Sequence, residues 1–210
     1  MRYPVVFFLF FLLPVIAGEH PQEVYADIGL EIGWNSARLN FTRESEEWKP
    51  LNRFQVGAFI NFPLSRRFEL QPEIHYVGRG AAAEGVFLNQ PLFYRVRLDY
   101  IEISSLVKYR FFKTKRLQPS LFVGGYVAFN TGARAVMEYS AESWPEDIAD
   151  DIENTDFGFI FGAGIDFKLS QSKFLLDFRV NMGMKSINKI RAASYTIKNE
   201  SLSVMLGYSF

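Results

Sequence analysis

Two histidines and no cysteine in 210 residues narrow the chemistry this chain can perform. His20 lies beside the end of an N-terminal apolar run, so His75 is the imidazole left to a folded domain. Glu73 precedes it by two residues, and in an extended strand both side chains point to one face. A histidine beside a carboxylate can serve as a general base, and hydrolysis would need a nucleophile or a metal next to the pair. Enzymes acting on lipid or peptide carry such groups where the substrate can reach them. This pair falls inside a strand, where a hydrogen-bonded structural histidine is expected. No catalytic residue, cofactor site or metal ligand is assigned, and a lipid- or peptide-acting enzyme stays as the alternative. Without cysteine there are no disulfides, no thiolate chemistry, no iron–sulfur cluster and no lipobox for lipid attachment.

Other charges share the phase of His75 within their own segments: Glu31, Glu73, Glu102, Lys108, Arg110, Asp166, Asp177 and Arg179, with Asp27, Glu69 and Lys168 beside them. Opposite signs on one inward face predict a salt-bridged plug, because buried charges must be paired and hydrogen-bonded. The sharper alternative is a narrow ion or proton path through Glu73, Glu102 and Arg110. The stretch "MEYSAESWPEDIADDIENTD" carries Glu138, Glu142, Glu146, Asp147, Asp150, Asp151, Glu153 and Asp156 and no cation. Calcium takes several oxygen ligands, but the spacing is not that of an EF-hand loop and no glycine turns the run. A solvated, flexible extracellular loop that reaches an envelope protein partner is expected there. No glycine-rich phosphate cradle occurs. The 23 Lys plus Arg balance the 23 Asp plus Glu, so nothing points to nucleic acid.

These residues sit on segments whose apolar residues alternate with period 2, the signature of strands. "VYADIGLEIGW" sets Val24, Ala26, Ile28, Leu30, Ile32 and Trp34 on one face. "RFQVGAFINFPL", "RFELQPEIHYVG", "LQPSLFVGGYVAFN", "DFGFIFGAGIDFKL", "KFLLDFRVNMGM" and "SLSVMLGYSF" continue the series, the fifth segment of the chain being apolar on both faces. In "FYRVRLDYIEISSLVKYRFF" the phase slips near Tyr100–Ile101, which predicts either a β-bulge or a strand leaving the membrane for an exposed extension. The segments number eight. Short links (Leu64–Arg67, Lys113–Arg116, Ser170–Lys173) alternate with long polar ones (Ser36–Asn52, Gly80–Leu92, Gly132–Thr155, Lys185–Thr196). That is the arrangement of an all-β, eight-stranded, up-and-down antiparallel transmembrane barrel with its long loops outside the cell. The 22 Phe and 10 Tyr suit a wall facing lipid.

The N-terminal "MRYPVVFFLFFLLPVIAGEH" has an early cation, a short apolar core and small residues, as a secretory signal peptide does. Residues 1–18 are read as that signal and 19–210 as one barrel domain, delivered to the bacterial outer membrane. There the expected partners are outer-membrane lipid and the barrel-insertion machinery. "LDYIEISSLVKYRF", "PSLFVGGYVAFN" and "DFGFIFGAGIDFKL", with "LQPEIHYVGRG" and "FLLDFRVNMGMKSI", resemble the PorT-type outer-membrane β-barrel family over Val24 to Phe210. That family commonly has a proline where this chain has Ser104. The resemblance implies a structural, scaffold or interaction role, in a family that includes a component linked to type IX secretion and gliding.

The final segment places Tyr208 and Phe210 on its apolar face, as in the recognition signal read by the insertion machinery. Deleting Phe210 is expected to lower the membrane-inserted yield in cells much more than the detergent stability of assembled barrels. Unchanged yield with a large fall in stability would make Phe210 a packing residue instead.

Overall fold

The computed structural model describes residues 26–41, 48–112, 116–139, 142–170, 172–189 and 196–210. The expected signal peptide, residues 1–18, lies outside them. Among the described residues there are nine strands: β1 (Asp27–Phe41), β2 (Lys49–Pro63), β3 (Phe68–Phe87), β4 (Gln90–Arg110), β5 (Leu117–Tyr139), β6 (Glu142–Asp147), β7 (Thr155–Lys168), β8 (Lys173–Gly183) and β9 (Ile197–Ser209). Their order is β4-β3-β2-β1-β9-β8-β7-β5, and β4 pairs with β5 to close the ring. Eight strands therefore make an antiparallel up-and-down barrel with no open edge, the condition for a sheet to stand in hydrocarbon. β6 is the ninth strand; it pairs only with the upper part of β5, from Arg134 to Tyr139.

The two faces of the wall are inverted relative to a soluble barrel. Outward side chains are large and apolar, with Phe54 73%, Leu30 60% and Leu206 60% exposed, while inward Lys108, Asp166 and Asp177 are fully buried. Such an exterior would aggregate in water, and it matches a lipid-facing band. Phe68, Tyr109, Phe111, Phe174, Tyr208 and Phe210 cluster at the end bearing the short turns, with Phe174 and Tyr208 rings 5.1 Å apart. The Phe210 amide donates to the Ile28 carbonyl at 3.0 Å, tying the last residue to β1.

Spanning a bilayer takes a tilted strand of about 10 residues, yet β3, β4 and β5 have 20, 21 and 23. The excess rises above the lipid on the side away from the short turns, and there the polarity reverses. Along β4 the inward series Val96, Leu98, Tyr100, Glu102, Ser104, Leu106, Lys108 and Arg110 runs without a break. The change of phase at Tyr100–Ile101 is thus no slip of this strand. Below it the apolar residues face lipid; above it Val96, Leu98 and Tyr100 face inward, and Arg95, Arg97 and Asp99 face water. The bulge lies on the neighbour: Asp99 pairs with Gly132 and Tyr100 with Asn130, leaving Thr131 of β5 as the extra residue. The inward face of β5 accordingly passes from Ala128 to Ala133 and Ala135.

Two expected loops are largely strand. Gly80–Leu92 is a hairpin whose turn residues Leu88 and Asn89 have φ of 47° and 60°, the left-handed pair of a two-residue type I′ turn. Ser36–Asn52 contains the end of β1 and the start of β2, with Ala37 paired to Leu51. The described residues of the acidic stretch also take up regular structure: β6 is followed by a single 3-10 turn, Ala149–Asp151, and Ile152 then bridges Asn188. Ile152 and Ile187 drop into the mouth of the barrel and pack with Leu39, Leu98, Tyr100 and Tyr126 in one apolar cluster. Where the wall stands in water, the chain builds an ordinary hydrophobic core.

Candidate functional site

The interior below that core is filled by charge in three tiers. Nearest the short turns, Arg110 of β4 sits against Glu69 of β3 at 2.6 Å and against Asp166 of β7, and donates to the Gln118 amide oxygen of β5 at 3.0 Å. Four strands thereby converge on one guanidinium.

The middle tier is the largest. Arg179 of β8 reaches Glu31 of β1 at 3.1 Å, Glu73 of β3 at 2.9 Å and Asp177 at 3.1 Å. Lys108 of β4 donates to Asp177 at 2.9 Å. His75 Nε2 and Glu31 Oε1 lie 2.6 Å apart, and Glu73 also accepts from Gln71 at 2.6 Å and Ser104 at 2.8 Å. Phe122 inserts a ring beneath the cations, 5.0 Å from Lys108 Nζ and 5.7 Å from the Arg179 guanidinium carbon. Three carboxylates face two fixed cations, and a doubly protonated His75 would bring the six groups to neutrality.

The upper tier rests on Arg79 of β3, which contacts Glu102 of β4 and donates to Asp156 of β7 at 3.0 Å. Asp156 also accepts from Tyr126 at 3.2 Å and Asn199 at 2.9 Å. The Arg79 guanidinium carbon lies 4.6 Å from the centre of the Tyr126 ring and 5.4 Å from that of Tyr100.

Glu31, Glu73, His75, Glu102, Lys108, Arg110, Asp166, Asp177 and Arg179 all lie in this interior. Two neighbours in the same phase do not: Lys168 is exposed at the strand end, and Asp27 pairs with Lys173 at the rim. Arg79 and Asp156, absent from the expected set, are central to the upper tier. Arg79 lies just beyond the end of its segment at Gly78, although it continues the odd-numbered phase of Glu73 and His75, whereas Asp156 opens "DFGFIFGAGIDFKL" and is counted with the acidic loop. The candidate path residues Glu73, Glu102 and Arg110 fall in three different tiers, each occupied by ion pairs. In the acidic stretch, Glu138 pairs with Arg95 and Glu153 with Lys185 at 2.9 Å.

Inward glycines give these side chains room. Gly57 stands opposite His75 in the β2–β3 register, and a methyl group there would collide with the imidazole. Gly162 admits Phe122 in the same way. Ligand atoms of Glu31, Glu73 and His75 lie within 4.8 Å of one another, a spacing open to a metal ion. Arg179 already bridges the two glutamates, so a metal would have to displace a guanidinium and bear the repulsion of Lys108 and Arg179. The tier is an ion-paired cluster with its cation in place.

The family of the outer membrane protein beta-barrel domain matches residues 19–189. A comparison with curated protein sequences gives no match. Among solved structures, the outer membrane protein OprG from Pseudomonas aeruginosa is 12% identical, with 89% of this chain and 95% of that chain covered and a TM-score of 0.50. The attachment invasion locus protein Ail of Yersinia pestis is 11% identical over 88% of this chain and 99% of its own, with a TM-score of 0.45. Neisserial surface protein A is 12% identical over 89% and 99%, with a TM-score of 0.45. Identities this low speak to the fold alone. Because the family match covers most of its length, the chain belongs to the outer membrane protein beta-barrel domain family, and its place is the bacterial outer membrane.

Proposed function

We propose that this protein is a closed scaffold barrel, anchored by its wall and working through the ordered extension above the lipid, which meets a protein partner of the envelope. The observation that carries this reading is the blocked lumen: three ion-paired tiers below a hydrophobic plug leave the strand extension as the part able to engage a partner. Its resemblance to PorT-type barrels supports a place in an envelope or secretion-linked complex. In this reading residues 1–18 are removed on export, and Tyr208 and Phe210 address the chain to the insertion machinery. His75 is 3% exposed and hydrogen-bonded to Glu31 in mid-barrel, which supports a structural part for it in a scaffold that works without catalysis.

Purified protein in planar bilayers is expected to show no steady conductance. A steady, ion-selective current abolished by Glu102→Gln would overturn the closed barrel in favour of an ion path. The partner is tested by cross-linking in intact cells. Replacing Glu142–Asp147 with a short Gly/Ser turn should preserve heat-modifiable gel migration and lose the cross-linked protein. Full retention of it would move the contact off the extension.

A further inference from the structure

On the outer wall of β4 and β5, Arg97 and Arg134 stand directly opposite each other across the two strands. Like charges in that position repel and weaken an antiparallel pair. The usual remedy is a carboxylate between them, and among the described residues neither arginine has one within ion-pair distance. Three carboxylates of the patch are engaged elsewhere: Asp99 by Arg53, Glu138 by Arg95, and Asp147, opposite Arg134 on β6, by the Ala149 amide at 3.0 Å. Four guanidinium groups against three carboxylates leave the patch net positive, with Arg97 and Arg134 both outside any ion pair among the described residues.

The patch is concave. Arg53, Arg97, Asp99, Arg134 and Glu138 line a cavity of about 440 Å³, which β6 borders through Ser143 and Pro145. Its height on the wall is fixed by the sequence of β4. Outward residues run Arg95, Arg97, Asp99, then Ile101 and Ile103; four residues of strand, about 13 Å, separate Arg97 from Ile101. Beside them on β5, Val127 and Phe129 lie bare on the lipid face, as does Ile103. The unpaired cations therefore sit where hydrocarbon gives way to headgroups, on the side of the long strands, the outer leaflet. This placement is independent of the scaffold reading.

We propose that Arg97 and Arg134 form a binding site for a phosphorylated lipid headgroup of the outer leaflet. Guanidinium forks match phosphate oxygens two at a time, and a phosphate bridging Arg97 and Arg134 would relieve their mutual repulsion. Acyl chains attached to it would run down the apolar wall past Ile101, Ile103 and Phe129. An acidic peptide would bring the charge without using that wall, which favours the lipid.

The full-length protein, folded into phosphatidylcholine vesicles containing a few per cent of diphosphorylated lipid A, would be extracted and its retained lipid quantified. Retention should be strong for the phosphorylated lipid, weak for its dephosphorylated form, and reduced at least about tenfold in the double variant Arg97→Gln/Arg134→Gln. Urea unfolding of that variant should be unchanged or shifted upward, since a like-charge pair is removed, so loss of binding would not reflect misfolding. The double lysine variant, Arg97→Lys/Arg134→Lys, should retain an intermediate amount. Equal retention of both lipids, or unchanged retention in the glutamine variant, would overturn the proposal. So would binding of inorganic phosphate alone with no retained lipid, which would make the patch a soluble-anion site.

Discussion

Replacing Arg179 with methionine is expected to destabilise the folded barrel by about 3–5 kcal/mol, the range for removing one partner from a buried ionic cluster. Glu31, Glu73 and Asp177 would keep their charges inside the wall and lose the cation that touches all three. Lys108 reaches Asp177, and His75 reaches Glu31, so Glu73 would be the most poorly compensated. Urea titration of barrels folded in detergent or thin vesicles would measure the loss. Arg179→Lys should recover part of it, because one ammonium cannot span three carboxylates. A methionine variant within 1 kcal/mol of wild type would mean that protonation or water relieves the cluster, and that the middle tier contributes little to holding the wall.

The second large effect belongs to the opposite face. Phe161 on β7 and Phe178 on β8 point to lipid from the middle of their strands, 44% and 53% exposed. Arginine at either position is expected to cost ~2–4 kcal/mol, the penalty for a cation on the lipid face at mid-depth. The inward neighbour Gly162 gives the contrast: Gly162→Arg would act by crowding Phe122 and the Phe178 carbonyl, not through contact with hydrocarbon. Folding yield into vesicles of increasing thickness separates the causes. The Phe161→Arg and Phe178→Arg defects should grow with bilayer thickness, whereas a crowding defect should not. If both arginine variants fold as well as wild type, the wall does not face lipid at these positions.

Within the membrane the sequence is easy to read because one rule dominates the strands: apolar out, and mostly polar or small in, with a few large exceptions such as Phe122 and Ile160. Phe157, Phe159 and Phe161 against Gly158, Ile160 and Gly162 already mark the two faces of β7. The rule fails where the solvent changes. Along β4, Val96 and Leu98 are apolar because they are inside, whereas Ile101 and Ile103 are apolar because they are outside, and alternation alone registers this as a slip. Gly80–Leu92 hides its strands for another reason: its small residues carry little apolar contrast, and the turn rests on Leu88 and Asn89 in a conformation leucine seldom adopts. Arg79 is lost with that segment end, and Asp156 reads as one more carboxylate of the acidic loop. Each inward charge follows from phase, but which cation meets which carboxylate depends on height around a closed ring. Pairing Arg110 with Glu69, Asp166 and Gln118 requires the strand registers, which no single segment contains.

Closure has a consequence for how the molecule forms. The seam joins β1 to β9, the strands furthest apart along the chain, with Gly29 opposite Ser209 and Phe41 opposite Ile197. Every other wall contact is between strands adjacent in the chain, apart from the β5–β7 step over β6, so hairpins can assemble locally while the seam waits for the whole polypeptide. Contacts of such long sequence separation come late and slowly, because nearly all the chain's closure entropy is spent before the first of them is made. Until then two rows of unpaired amides face hydrocarbon, and a half-zipped sheet is the state most exposed to mispairing. At the far end of the seam Glu200 accepts from Arg38 at 2.8 Å and from Asn40 at 2.8 Å. That clasp lies on the watery side of the strands, where side-chain charge can hold the register while the edges below are still zipping.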